Sequence, residues 1–131
     1  MSVQLFRRWF QEVWNERRDT TIDELFAADG LAHGLPATLR GPSGVRVFRD
    51  GFVALFPEIS IEVHDTLDSP PERDGTVTVV GRLTAHVARA NGQRGELAFM
   101  AWSRWRGGKI VESWNVCDFL GLQKQVGDLG L

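Results

Sequence analysis

At 131 residues and a formal charge of −2, the chain has the length of one domain and no concentrated basic stripe of the kind a nucleic-acid partner requires. Hydrophobic residues make up 43% and charged residues 24%, an ordinary globular balance, and no run approaches the roughly 18 apolar residues of a membrane span. A single cysteine, Cys117, excludes an internal disulfide, and the N-terminus lacks the basic-then-apolar order of a signal peptide, so a soluble cytoplasmic protein is expected.

Residues 3–17 read as one amphipathic helix, with Val3, Leu5, Phe6, Trp9, Phe10, Val13 and Trp14 filling about half the wheel. So wide an apolar arc suits a sheet better than one neighbouring helix. Thr21-Ile22-Asp23-Glu24 reads as a capping box opening a short second helix that ends at Asp29-Gly30. Leu31–Leu35, containing His33, is a short strand closed by Pro36. Gly41-Pro42-Ser43 starts a third helix, stopped by Pro57. Arg49 lies inside its apolar arc, either snorkelling outward or facing a cavity.

From Glu58 the period changes to two. Thr76–Arg89 and Glu96–Arg106 are long strands joined at Asn91-Gly92, and Gly107-Gly108 launches the final strand. Residues 123–131 read as a tail. Helix, helix, short strand, helix and then strands without intervening helices make an α+β protein, three N-terminal helices packed on a curved, mainly antiparallel sheet. A single domain spanning 1–131 is expected, with its core at about 3–122.

Strict alternation along the last strand puts Ile110, Glu112, Trp114, Val116, Asp118 and Leu120 on one face. That face is mostly apolar yet carries two carboxylates. Either they sit at the sheet's rim with their heads in water, or one is held among apolar walls as an acid or base. Asp118 leads as the candidate base, between Cys117 and Phe119, where apolar surroundings would raise its pKa. His86 stands either on the outer surface or in the site, and His33, beside Gly34 and Pro36, could reach a cavity mouth. No Walker loop, G-x-G-x-x-G or G-x-S-x-G frame is present. The three histidines lie on separate elements without ligand spacing, so no metal is expected. Cys117 reads as a packed thiol.

The element order, with Trp14-Asn15, Ala28-Asp29, His33, Gly41-Pro42, Phe56-Pro57, Ala85-His86 and Glu112-Ser113-Trp114-x-x-x-Asp118-x-x-Gly121-Leu122, resembles the SnoaL-like polyketide cyclases. These belong to the nuclear-transport-factor-2-like superfamily, a helix-lined cone on a curved, cystatin-like sheet. The resemblance implies that Asp118 acts as the acid/base of an intramolecular aldol cyclisation of a polyketide-type ester, with no cofactor. His86 and His33 would assist, and Trp14, Arg49, Phe52, Met100, Trp102 and Trp114 would surround a hydrophobic or polycyclic ligand. The alternative is a binding or scaffolding member of the superfamily with the same cavity and no turnover. A ketosteroid-isomerase-like or limonene-epoxide-hydrolase-like site would call on a tyrosine, and the chain has none. A homodimer through the outer sheet face is also expected.

Overall fold

The computed structural model describes residues 2–130. Helix α1 (Ser2–Trp9) runs on into a wider π-helical turn over Phe10–Asn15, so the expected single helix is interrupted. The reason lies at its end. The Asn15 side chain donates to the Ile61 carbonyl at 3.0 Å and accepts from the Ile61 N–H at 2.7 Å, pinning the last turn to the sheet. A regular α-helix would carry Asn15 to the polar side.

Helix α2 (Asp19–Leu25) leads directly into strand β1 (Phe26–His33), which begins earlier than expected and absorbs Asp29-Gly30 as an irregularity. The anticipated capping box does not form. Thr21 instead donates to Glu12 at 2.6 Å, tying α2 to the π turn. Strand β2 (Leu39–Arg40) and helix α3 (Gly41–Leu55) follow, then β3 (Glu58–Asp68), β4 (Val77–Ala88), β5 (Arg94–Arg106) and β6 (Lys109–Cys117). A fourth helix, α4 (Phe119–Val126), occupies what reads as the start of a tail, and it buries Leu122 and Val126 completely.

The six strands make one curved sheet in the order β2-β1-β6-β5-β4-β3, antiparallel except for the β1–β6 pair. Helices α1 and α3 pack against one face, α1 on β3 and β4 and α3 on β1. Gly81 on β4 permits this closeness: a side chain there would collide with the Phe6 ring. Along β5 the alternation is strict, with Leu97, Phe99, Ala101, Ser103 and Trp105 turned to the helices and Met100 and Trp102 turned outward.

Strand β6 breaks that rule. Arg104 lies opposite Glu112, whereas the next residue, Trp105, lies opposite Ile110, leaving Val111 as one extra residue. This β-bulge reverses the parity of everything beyond it. Ile110 faces the helices, but so do Ser113, Asn115 and Cys117. Glu112, Trp114 and Val116, expected to share the face of Ile110, point the other way.

Deleting Val111 should therefore remove the bulge and leave Glu112 and Trp114 outward, because Ile110 and Glu112 would then follow one another opposite Trp105 and Arg104 in ordinary alternation. We expect cooperative unfolding, with a loss smaller than the roughly 3–5 kcal/mol of an uncompensated buried charge. Urea unfolding would check this, and loss of cooperative unfolding, as expected if Glu112 and Trp114 were forced inward, would contradict the parity assignment.

Candidate functional site

A cavity of about 90 Å³ lies between the helices and the sheet. Its floor is aromatic and fully buried: Phe6, Trp9, Phe10, Phe26 and Trp105 close it off. The rings meet edge-on or tilted, with Phe6–Phe10 centroids 5.1 Å apart and Trp9–Phe26 5.7 Å, as their quadrupoles favour. Half-buried Trp14, Leu35, Leu39, Phe48, Cys117 and Phe119 form the rim. Trp14 packs edge-on against Phe48 at 5.9 Å and Phe52 at 5.8 Å, so this wall is one aromatic cluster.

Polar groups enter the lining almost wholly from β5 and β6. On β5, Ser103 is internally engaged: its Oγ donates to the Val79 carbonyl at 2.9 Å and accepts from the Trp105 indole at 2.8 Å. The bulge turns Ser113, Asn115 and Cys117 of β6 into the same space. Burial pushes the Cys117 thiol up to about 12, so it stays protonated and is no nucleophile at neutral pH. Among the described residues, the lining holds no carboxylate, imidazole, amine or guanidinium.

Asp118 stands elsewhere than expected. It is exposed, and it is the N-cap of α4, its Oδ1 accepting from the Gly121 N–H at 2.8 Å. Gly121 lacks the Cβ that would collide with that carboxylate. The Asp118-x-x-Gly121-Leu122 spacing thus has a structural explanation, a capped helix whose Leu122 is wholly buried. Cys117 and Phe119, its chain neighbours, do line the rim.

The other sequence candidates divide. Trp14 and Phe52 line the cavity. Met100, Trp102 and Trp114 do not, because β5 alternation and the β6 bulge turn all three onto the outer face, where they are exposed. His33 also points outward, its Nε2 2.8 Å from Glu112 and its ring stacked on Trp114, while only its backbone carbonyl accepts from Asn115 at 3.2 Å. His86 is on the outer face between Glu62, at 3.2 Å, and Glu96, at 3.4 Å. Arg49 is buried but lies outside the lining. It pairs with Asp19 and with Asp50 at 2.9 Å, and its remaining reach is to the Val13 carbonyl. That arrangement holds the Asp19 carboxyl below its usual range through its hydrogen bond from Arg49.

Ser113 and Asn115 were missed by strict alternation. The signal was the adjacent apolar pair Ile110-Val111, which an alternating strand with one wet face does not place side by side.

The model of the SnoaL-like polyketide cyclases matches residues 4–126 of the sequence. The chain belongs to that family. No curated protein matches it. Among solved structures, IdmH of Streptomyces antibioticus superposes with a TM-score of 0.80 at 23% identity, covering 96% of this chain and 98% of IdmH. An IdmH variant with a truncated 96–104 loop gives 0.81 at 26%, covering 97% and 100%. TsrD of Streptomyces laurentii gives 0.79 at 22%, covering 98% and 96%. The SnoaL-like cone explains why the helices cover one sheet face only, and why the enclosed space lies at that face.

Asp118→Ala should lower stability by about 1 kcal/mol through loss of the cap, whereas Asp118→Asn, an equally good cap, should leave it within a few tenths. Thermal melts of the two variants would check this. Equal losses in both would contradict the capping role.

Proposed function

We propose that this SnoaL-like protein binds a neutral, apolar small molecule, enclosing a portion about one ring in size while the remainder occupies the rim. The observation that carries this reading is the lining, aromatic on three sides and without an ionisable group other than a protonated thiol. A charged ligand would lose its hydration and find no counter-charge there. Size supports a single ring: a cavity of about 150 Å³ takes benzene, so 90 Å³ admits one only as half-buried Phe48, Leu35 and Leu39 give way. A fused polycyclic ligand would need larger movement or would protrude.

A second reading is the aldol cyclase with Asp118 as base. One observation favours it: both chain neighbours of Asp118 line the rim, so a carboxylate released from its cap could reach a substrate there. The cap it would forgo is worth only about 1 kcal/mol. In that mechanism the carboxylate removes a proton from a carbon flanked by carbonyls. The enolate carbon then attacks a ketone within the same molecule, and the carboxylic acid returns the proton to the new alkoxide. The substrate would be a polyketide-type ester, and the lining's contribution would be orientation and exclusion of water.

Asp118→Asn separates the two readings because it keeps the cap and removes the base. A neutral single-ring ligand at ~100 times its Kd should raise the stability of both proteins by roughly 2.7 kcal/mol, read as a thermal shift. No shift with any neutral ring compound would overturn the binding reading. Closure of a polyketide ester by the wild-type chain, lost in Asp118→Asn at unchanged melting temperature, would establish the cyclase instead.

We also propose that a second copy covers the outer face. Leu67, Met100, Trp102 and Val116 are 74%, 58%, 53% and 75% exposed on one contiguous patch. Arg82, paired with Asp65 at its edge, offers reciprocal ion pairs across a two-fold axis. Light scattering should report about twice the 14.7 kDa chain mass, and a monomer at high concentration would contradict this.

A further inference from the structure

The row of polar groups that the bulge turns into the cavity keeps hydrogen-bonding capacity that the fold does not use, and it deepens the binding reading, on which this inference rests. Ser113 is nine-tenths buried and faces the cavity, and its hydroxyl makes no side-chain hydrogen bond to any described residue. Nothing in the packing of α1 or α3 requires a hydroxyl there. The Ser113 Oγ is not among the fully buried unpartnered side-chain atoms of the described residues, so it keeps surface open to the cavity and free to meet a ligand.

Asn115 is half-engaged. Its Nδ2 donates to the His33 carbonyl at 3.2 Å, and since a carbonyl can only accept, this bond fixes which end of the amide is nitrogen. Its Oδ1 is left as an acceptor on the cavity side of β6, where Asn115 lines the wall. The third member, Cys117, is a protonated thiol and at most a weak donor. Ser113 and Asn115 are two residues apart on one strand face, so their positions are roughly 7 Å apart.

We infer that the ligand's enclosed ring carries a hydroxyl or N–H directed at Asn115 Oδ1, and an oxygen about 7 Å away that pairs with Ser113 Oγ. The ligand class is a neutral hydroxylated ring, phenol-like at one edge and apolar over both faces. The faces rest against the aromatic walls of α1 and α3. The edge lies along β6, where, among the described lining residues, the Ser113 hydroxyl and Asn115 Oδ1 have no internal side-chain partner. Charge plays no part in recognition, and the thiol forms no bond to the ligand.

The test compares 4-hydroxybenzyl alcohol, whose two oxygens stand at opposite ends of the ring, with p-xylene, which has the apolar ring and neither oxygen, by calorimetry on the full chain. Ser113→Ala and Asn115→Leu should each weaken binding of 4-hydroxybenzyl alcohol roughly three- to tenfold while leaving p-xylene within about twofold. The p-xylene affinity shows in the same experiment that each variant keeps its cavity, which matters most for Asn115→Leu because it also loses the bond to His33. Equal changes for both probes, or no change for either, would overturn the inference while leaving the cavity reading intact. If neither probe binds the wild-type chain, the cavity reading fails and this inference fails with it.

Discussion

One residue too many in a strand governs what this cavity can do. Val111 has no opposite number on β5, and beyond it every side chain of β6 is on the other face from where simple alternation would put it. Had the strand paired without the bulge, Glu112, Trp114 and Val116 would crowd the aromatic floor, with a carboxylate among them. Instead three small, uncharged polar residues replace them, which leaves both the space and its neutrality. Beyond the inward row the strand ends at Cys117, and Asp118 caps α4. The chemistry of the site and its volume thus follow from a single backbone irregularity.

The charges excluded from the cavity hold its roof in place. Glu12, on the π turn, accepts from Arg8 at 2.7 Å and from Thr21 at 2.6 Å, and the hydrogen bond from Arg8 keeps its carboxyl below the usual range. Arg49 reaches from α3 to Asp19 at the start of α2. Each guanidinium is thus directed away from the interior, and the helices are linked to one another at their polar sides while their rings meet the sheet. Removing Asp19 would leave the buried Arg49 guanidinium with one carboxylate partner fewer, the costly half of such an arrangement, whereas Asp19 itself is exposed.

Much of the fold was legible because its signals are local. Gly41-Pro42 marks the first turn of α3, Asn91-Gly92 and Gly107-Gly108 mark the two hairpins, and β5 alternates without exception. The site was legible only in part. Trp14 and Phe52 follow from helical periodicity, which has no parity to lose. Trp114 and the face of β6 follow from a period of two, and one unpaired residue inverts that period. Arg49 interrupts an apolar arc, yet its partner Asp19 is thirty positions away in sequence and no local pattern announces it. Helix α4 was hidden by Gly121, a poor helix former that is present because the Asp118 carboxylate folds over it.

The central claim is that ligands meet the inward row of β6 and not the Asp118 carboxylate. A nitrogen-15 chemical-shift titration with 4-hydroxybenzyl alcohol tests it most directly. The account predicts that the Asn115 side-chain amide and the Ser113 backbone amide move together. The Gly121 amide, which reports on the Asp118 cap, should hold its position. Movement at Gly121 with Asn115 and Ser113 unperturbed would contradict it.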